Sequence, residues 1–431
     1  MNRSLLGLLV VLVLLIPAPI AGRPAQRKAA AGGESWPHYG YDDAFTSCNL
    51  AESALSADNV TKLQRRWGLG CGQGYKPISR SPAIYNRRLY TTGEVDHLKA
   101  YDASNGRLLW EFGQDSPWAP QPVVSEDGVV FYLEESSSTH YDLYAVSGET
   151  GQQIWKAPIT FDLGYTNGHL LTVDEARGLV YFLETPFMGN GKLYALNKQT
   201  GQVEWYMGKA TDSVEFKGEY AMLDAGKIYA LADAPMASYP NHADHMLRVD
   251  AATHAIETTY ARPQPEGYYA IKTASLCAGK LVVDYDYNSS KLLAGYNTGA
   301  AGIAWQKAFP ETTGTIACNP ALGRIYVPTD PYLYALDAAT GEQVWRYTGF
   351  GKIYNPSIAN GVIYFISESN MYAIAETDGR RLASYPLGTS GGETNQVAIA
   401  GGMAYFSGNG GTCNLFALGL PQPVYVPMVT R

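Results

Sequence analysis

The sequence has no excess of basic residues and only one long hydrophobic run. Its 431 residues include 32 Lys and Arg against 40 Asp and Glu, a formal net charge of −8. Nucleic acids and anionic lipid surfaces attract clustered positive charge, so both are poor candidates as partners. The run, Leu5–Ile16, is twelve residues long, whereas a membrane-spanning helix needs about 20. We therefore expect neither a nucleic-acid-binding protein nor a membrane span.

The hydrophobic run suits an export signal. It follows the charged Arg3 and precedes two prolines and small residues of the kind that signal peptidases accept. Residues 1–31 are predicted to be a signal peptide and short linker, with cleavage between Ala21 and Ala31. The first cysteine is Cys48, so none stands at the end of the run to be lipidated. We expect a secreted or extracytoplasmic protein without a lipid anchor.

Helix-period patterning is also scarce, while 45 glycines and 32 tyrosines indicate an all-β chain with many turns. The segment LYALDAATGEQVW, Leu333–Trp345, reads as a β-hairpin, with Gly341 supplying the positive φ of its loop. Three close copies are Leu98–Trp110, Leu143–Trp155 and Leu193–Trp205, and three worn ones are Leu247–Thr259, Leu293–Trp305 and Met371–Ala383.

A second landmark counts the repeats. Strands with aromatic centres precede the hairpins and begin at residues 87, 128, 178, 226, 279, 323, 361 and 401. Another apolar segment precedes each of them, which makes four strands in about 40 to 50 residues, the size of a β-propeller blade. The recurring Trp on the fourth strand is expected to pack between neighbouring blades.

The two ends of the chain complement each other. The last unit stops after its third strand, Cys413–Gly419, and the first Trp strand, Lys62–Leu69, has no partner before it. Pairing them removes two sheet edges. We therefore predict an all-β, eight-bladed propeller of four-stranded antiparallel blades, closed by the N-terminal strand completing the last blade. The predicted domains are an extension packing on the propeller (32–61), the propeller (62–419) and a tail (420–431), in a monomer.

The five cysteines leave at least one unpaired within a monomer. We take the hairpin Leu333–Trp345 as the template for the last blade. If Leu336 faces Val344 in this template hairpin, Pro331 faces Gly349, and the equivalent positions of the last blade hold Cys413 and Cys71. A Cys71–Cys413 disulfide would clasp the ring in an oxidising compartment. The competitor is a local Cys48–Cys71 bridge. Cys277 and Cys318 end the first strands of adjacent blades and form a second candidate pair.

The repeated phrase and the opening stretch from Trp36 to Trp67 resemble the pyrroloquinoline-quinone-like (PQQ-like) propeller repeat family. The resemblance covers residues 36–419 and implies the fold more specifically than the function. The family includes quinoprotein alcohol dehydrogenases and the non-enzymatic propeller lipoprotein of outer-membrane assembly. In the enzymes it implies an adjacent Cys–Cys pair against the quinone and a bound Ca²⁺. Here no two cysteines are adjacent, and no stretch matches the calcium site.

Aligning the first strands of the blades gives a candidate ligand surface. Residues two apart lie on one face of a strand, and this face is polar where a core-facing strand should be apolar. We predict that it lines one mouth of the axial channel, either as a ligand site or as a water-filled channel with charges paired across it. The eight pairs are Ile78 and Arg80, Trp118 and Pro120, Asn167 and His169, Lys217 and Glu219, Ala270 and Lys272, Glu311 and Thr313, Lys352 and Tyr354, and Glu393 and Asn395.

No metal site is predicted. The stretch Asn241–His245 offers two histidines and an aspartate, but nothing nearby in the sequence completes a coordination shell, so an exposed polar loop is expected. Asp284 and Asp286 alternate on a strand and give a weak calcium signal beside the simpler interpretation of a solvated face.

Two functions remain. The favoured one is a non-catalytic propeller that binds a protein or small ligand at the channel mouth and loops, without a cofactor. The alternative is a reduced quinoprotein oxidoreductase holding PQQ with Ca²⁺ in the channel. In that case Arg80, Trp118, Lys217 and Lys272 would surround the quinone, with Glu219 or Glu311 as base.

Overall fold

Antiparallel hairpins repeat along the chain and assemble into eight sheets, seven of four strands and one of five. The computed structural model describes residues 33–70, 81–92, 97–114, 120–137, 140–160, 171–184, 191–208, 214–233, 245–263, 269–287, 290–309, 314–349, 351–387, 396–407 and 415–421. Within these ranges no helix is long and apolar enough to cross a membrane.

Seven blades are each formed by four consecutive strands. Blade 1 contains β3 (Ala83–Tyr85), β4 (Arg88–Thr91), β5 (Leu98–Asp102) and β6 (Leu108–Phe112). Blade 2 contains β7 (Val123–Val124), β8 (Val129–Ser137), β9 (His140–Ser147) and β10 (Gln153–Thr160). Blade 3 contains β11 (Thr172–Asp174), β12 (Leu179–Glu184), β13 (Lys192–Asn197) and β14 (Val203–Gly208). Blade 4 contains β15 (Glu215–Asp224), β16 (Lys227–Asp233), β17 (His245–Asp250) and β18 (Ile256–Thr259).

The same order continues through the second half of the chain. Blade 5 contains β19 (Tyr269–Cys277), β20 (Lys280–Tyr287), β21 (Ser290–Asn297) and β22 (Ile303–Phe309). Blade 6 contains β23 (Ala317–Asn319), β24 (Arg324–Pro328), β25 (Tyr332–Asp337) and β26 (Gln343–Thr348). Blade 7 contains β27 (Ile353–Ala359), β28 (Val362–Ser367), β29 (Asn370–Ala375) and β30 (Arg381–Pro386).

Blade 8 joins the two ends of the chain. Its first three strands are β31 (Ala398–Ala400), β32 (Met403–Ser407) and β33 (Leu415–Gly419), and its fourth is the N-terminal β2 (Gln64–Leu69). β2 runs antiparallel to β33, with Leu69 opposite Leu415. The predicted eight blades and their closure by an N-terminal strand are therefore confirmed. A short strand, β1 (Cys48–Asn49), adds parallel to β27, and a 3-10 helix spans Val60–Lys62.

The template hairpin forms as the sequence predicts, except for one extra residue. The Asp337 carboxylate accepts bonds from the amides of Ala339 and Thr340, and Gly341 has φ +71°. Leu336 pairs with Gln343, so the expectation that it faces Val344 is wrong, because Val344 is a β-bulge. Every blade has this bulge one residue before the Trp position, at Arg66, Leu109, Ile154, Glu204, Glu257, Ala304, Val344 and Leu382.

An indole locks most seams between blades. The Trp305 indole N–H donates to the carbonyl of Ala338 in the next blade, at 2.9 Å. A Cβ built on Gly341 would lie 2.5 Å from the ring, so only glycine leaves room for it. Trp67, Trp110, Trp155 and Trp345 make the same contact, donating to the carbonyls of Ala103, Gly148, Lys198 and Glu376. The expectation that these tryptophans pack between blades is confirmed.

The worn repeats use other side chains at their seams. Trp205 of blade 3 stacks on His254, whose φ of +61° matches the glycine that it replaces, with ring centroids 4.2 Å apart. Between blades 4 and 5 the Tyr260 hydroxyl donates to the carbonyl of Thr298 at 2.7 Å, in the place of an indole. Between blades 7 and 8 buried leucines and Val60 from the N-terminal segment fill the space, and the Tyr385 hydroxyl bonds the Val60 carbonyl.

The first strand of each blade lies innermost. First strands contact one another between blades 1 and 2 and in succession from blade 3 to blade 8, and β31 of blade 8 contacts β3 of blade 1. The middle strands are buried, and β28 is buried along its whole length, whereas the outer β26 and β30 alternate between exposed and half-buried residues. The core is thus a series of apolar layers between blades, arranged around an axial channel.

Replacing Gly341 by alanine tests the indole contact against a matched site. Gly341 and Gly361 have nearly equal φ angles, +71° and +75°, but nothing lies within 4 Å of a Cβ at Gly361. We expect Gly361→Ala to lower the free energy of unfolding by about 1–2 kcal/mol, through the backbone alone. Gly341→Ala should cost about 2–4 kcal/mol, because the methyl group also displaces Trp305. Equal losses in denaturant unfolding would show that the indole contact contributes nothing.

The β2–β33 register leads to a disulfide prediction. Cys71 and Cys413 each lie two residues beyond the Leu69–Leu415 pair, outside the described residues. If the ladder continues, they face each other, and a bond between them would stabilise the closed ring by up to about 5 kcal/mol in the chain-entropy model. Peptide mapping of unreduced protein should yield a Cys71–Cys413 crosslink. A free Cys71 thiol would contradict the clasp.

Candidate functional site: the axial channel

The segment from Gly33 to Asn49 runs around the inside of the ring. Its contacts with the blades follow chain order, beginning at blade 8, passing blades 1 and 2, and ending at blade 7, where β1 pairs with β27. The segment therefore closes the channel at the end where the first strands turn back. We call residues 33–49 the axial plug.

Main-chain hydrogen bonds hold the axial plug. The first strand of a blade has one free edge, and the plug bonds show that these edges face the axis. In seven blades an amide at or next to the end of the first strand donates to a plug carbonyl, over 2.7 to 3.0 Å. The donors are Gly401, Ile84, Val124, Leu223, Leu276, Cys318 and Ile358, and the acceptors are Gly33, Trp36, Pro37, Asp43, Ala44, Thr46 and Ser47.

Polar side chains stabilise the turn of the plug. The Asp42 carboxylate accepts bonds from the amide and the hydroxyl of Thr46, at 2.9 and 2.8 Å. Desolvation raises the pKa of Asp42, and the two Thr46 bonds oppose that shift. The His38 imidazole is buried, with its Nε2 3.5 Å from a carboxylate oxygen of Asp43. These contacts fold the segment into a compact plug rather than an extended strand.

A layer of buried polar residues lies next to the plug. Gln396 of blade 8 reaches it directly, because its Oε1 accepts from the Gly40 amide at 3.0 Å and its Nε2 donates to the Ser47 hydroxyl at 2.7 Å. Each member lies three residues before an apolar residue of a first strand, namely Ile84, Val124, Leu276, Ile358 or Ile399. The members are Ser81, Gln121, Thr273, Asn355 and Gln396, all at most 5% exposed. The sequence analysis missed this set, although its spacing is regular.

Gln121 differs from its counterpart in blade 8. It is 1% exposed, and neither its Oε1 nor its Nε2 has a hydrogen-bond partner within the described part of the protein. A buried carboxamide without partners costs about 1–3 kcal/mol. Its register matches that of Gln396, whose amide points toward the axis. Gln121 is therefore a polar group of the inner wall that protein atoms leave unsatisfied.

The structure describes only part of the predicted channel surface. Arg80, Trp118, Asn167, His169, Glu311, Glu393 and Asn395 lie outside the described residues, and for Lys217 and Glu219 only the backbone, in β15, is described. Lys272 is exposed, with its ammonium 3.7 Å from the Asp286 carboxylate. Lys352 is exposed and Tyr354 is buried. Their assignment to a ligand site remains a prediction.

Bulges interrupt the period that the alignment assumed. The ladder of blade 4 shifts between Lys217 and Ala221, and that of blade 5 shifts between Ile271 and Thr273, which leaves Lys272 unpaired. A bulge changes the face on which the following residues lie. The regular two-residue period that the alignment assumed therefore does not hold through β15 and β19, and sequence alone could not detect the extra residues.

The cysteines near the plug have distinct states. Cys277 and Cys318 form the predicted disulfide between blades 5 and 6, with Cα atoms 5.7 Å apart. Cys48 is an unpaired, buried thiol in β1, so the competing Cys48–Cys71 bridge does not form. Burial raises the pKa of the Cys48 thiol well above its ordinary value, with smaller contributions from Glu376 and Asp42. The thiol is thus protonated at neutral pH and a poor nucleophile.

The acidic residues and histidines that the sequence offered as metal ligands lie apart from a recognisable metal site in the described ranges. Among the described residues no group of three or more His, Cys, Asp or Glu side chains could hold a metal ion. Asp284 is buried in β20, so the interpretation of a solvated face is wrong for it, and Asp286 lies 2.6 Å from the Lys291 ammonium. In the Asn241–His245 stretch, His245 begins β17, and the other residues, His242 among them, lie outside the described residues.

Comparisons with known proteins agree with this architecture. Residues 51–234 and 290–412 match the PQQ_2 family model, described as outer membrane protein assembly factor BamB. The quinohemoprotein alcohol dehydrogenase of Comamonas testosteroni superposes with a TM-score of 0.68 at 14% identity, covering 94% of this chain and 83% of that chain. No curated protein sequence matches the chain.

Two further solved structures show the same fold. Quinohemoprotein alcohol dehydrogenase ADHIIG of Pseudomonas putida HK5 has a TM-score of 0.69 at 14% identity, covering 90% of this chain and 80% of that chain. A europium-containing methanol dehydrogenase has a TM-score of 0.65 at 12% identity, covering 88% of this chain and 90% of that chain. At these identities the likeness concerns the fold alone.

The two equivalent glutamines provide a matched test of the plug. Gln396→Leu removes the partners of the Gly40 amide and the Ser47 hydroxyl, so we expect a loss of about 1–3 kcal/mol in the free energy of unfolding. Gln121→Leu removes no bond and should leave stability unchanged or higher. Chemical denaturation of both variants checks this, and an equal loss in both would mean that the Gln396 bonds do not hold the plug.

Proposed function

The chain belongs to the PQQ-like β-propeller family, and from that premise we propose that it is a non-catalytic binding module. Its channel is closed by the axial plug at one end. A small ligand, or a segment of a partner protein, enters at the other end, where the predicted channel residues and the connecting loops of the blades lie. The ring serves as a rigid support for this mouth.

The Gln121 carboxamide is the observation that carries the proposal. It is buried two residues before β7, the first strand of blade 2, and protein atoms of the described ranges satisfy neither its donor nor its acceptor. Burying such a group is costly unless something in the channel bonds to it. A ligand that offers both an acceptor and a donor, such as a hydroxyl or an amide, would satisfy it. Ligand recognition therefore explains a residue that stability does not.

The chemistry of the wall supports binding more than catalysis. Lys272 has a carboxylate neighbour, and Tyr354 and the Cys48 thiol are buried. In the sequence no two cysteines are adjacent, unlike the pair that the resemblance to quinoprotein dehydrogenases implies. A tyrosine and an ion-paired lysine can orient a ligand, but neither is poised as a base.

We propose further that the protein acts outside the cytoplasm. The Cys277–Cys318 disulfide is of the kind that persists in oxidising compartments, and it agrees with the export signal predicted for residues 1–31. The peptide map that tests the Cys71–Cys413 clasp also identifies the first residue of the mature chain. Retention of residues 1–31 would contradict export.

Reconstitution with PQQ and Ca²⁺ separates the binding module from the oxidoreductase alternative. We expect no oxidation of alcohols or aldose sugars with an artificial electron acceptor, because the described wall holds no calcium donor set. Fluorescence of the eight tryptophans should not be quenched by PQQ in a Ca²⁺-dependent way.

The proposal fails if turnover requires both additions and disappears in Glu219→Gln or Glu311→Gln. Those two residues would then be the base, as the alternative requires. Gln121→Leu tests ligand binding in the absence of turnover. Removing the Gln121 carboxamide should weaken ligand binding without altering folding, because the carboxamide has no hydrogen-bond partner in the described ranges.

A further inference from the structure

A cavity of about 520 Å³ lies at the seam between blades 8 and 1. It opens at the end of the ring where the axial plug enters, far along the blades from the predicted channel mouth. Its wall combines apolar side chains, Ile84, Met403, Tyr405 and Leu420, with the charged side chains of Arg66 and Arg87, and Glu34 also borders it. A volume of several hundred Å³ with an apolar wall and few polar groups is typical of small-molecule sites.

The two arginines of this cavity lack carboxylate partners. In the described ranges neither guanidinium forms an ion pair, and Arg66 bonds only a backbone oxygen, that of Leu420, at 2.9 Å. Several other basic residues at this end of the ring are paired within 4.0 Å. They are Arg88 of blade 1, with Glu149, and in blades 3 and 4 Arg177 with Asp174, Lys198 with Glu175, Lys227 with Asp250 and Arg248 with Glu257. Two guanidinium groups without carboxylate partners in the described ranges thus lie beside one cavity, on a chain of net charge −8.

The cavity lies where the two ends of the chain meet in blade 8. The third strands of blades 1–6 end on a polar residue: Asp102, Ser147, Asn197, Asp250, Asn297 and Asp337. In blade 8 the third strand ends on Gly419, because the chain does not turn there into the fourth strand. Gly419 faces Met403, where blade 4 pairs Asp250 with Lys227. With Gly419 in place of an aspartate, blade 8 lacks both the acidic partner that a neighbouring basic residue could use and the volume of its side chain.

We propose that this seam cavity binds a small organic anion with an apolar body, such as an aromatic carboxylate. The guanidinium groups of Arg66 and Arg87 offer donors in the planar arrangement that suits a carboxylate. The apolar body lies against Met403 and Tyr405. The site is independent of the axial channel, so its failure would leave the proposed function standing.

Titration calorimetry with 2-naphthoate tests the site, with 2-naphthamide as the neutral analogue. We expect one naphthoate per chain and at least tenfold weaker binding of the amide. Arg87→Gln should weaken naphthoate binding tenfold or more, whereas Arg380→Gln, an exposed arginine in a turn of blade 7, should leave it unchanged. Arg66 is left intact because it holds Leu420.

A second pair of variants fills the cavity without removing charge. Ala54 borders the cavity and is exposed, so Ala54→Trp should abolish naphthoate binding, while Ala51→Trp, exposed but outside the wall, should not. Equal affinity for naphthoate and naphthamide would show an apolar pocket without anion recognition and would overturn the proposal. The absence of naphthoate binding would also overturn the proposal. So would a naphthoate affinity that neither Arg87→Gln nor Ala54→Trp changes.

Discussion

The contact of an indole with a glycine of the next blade is the interaction on which the ring depends. Both faces of a blade are apolar, and a single four-stranded sheet cannot bury them alone. The Trp ring covers the seam, donates to a carbonyl of the neighbour and packs where a Cβ would collide. Each of the five seams with this contact therefore joins a side chain on one blade to a backbone conformation on the next.

The worn repeats show that the seam, and not the tryptophan itself, is required. His254 keeps the left-handed backbone of the glycine and offers its ring to Trp205. Tyr260 keeps the hydrogen bond to the neighbouring carbonyl without an indole. Val60 and neighbouring leucines replace both partners between blades 7 and 8. Each substitute preserves burial and satisfies the carbonyl or fills the gap, which explains how the repeats diverged without opening the ring.

The axial plug pairs the inner edges of the first strands, which no neighbouring strand of a blade covers. Buried amides on these edges need acceptors. Carbonyl groups of the plug provide these acceptors in seven blades. As a result, one end of the channel is filled by the protein's own backbone. The same chain then continues into β2, which closes blade 8. One N-terminal segment thus both seals the axis and completes the circumference, and the only blade built from two chain ends is also the blade beside which the seam cavity lies.

The sequence by itself determined the hairpin, the blade count, the closing strand and the Cys277–Cys318 pair, because local turn chemistry and repeat spacing encode them. It did not predict the bulges, the path of the plug or the buried glutamines. Those depend on which edges and faces meet after the ring closes, as the different surroundings of Gln121 and Gln396 show. Two residues at the same repeat position acquire different roles because the plug passes close to one and leaves the other without a partner, and only tertiary structure decides that.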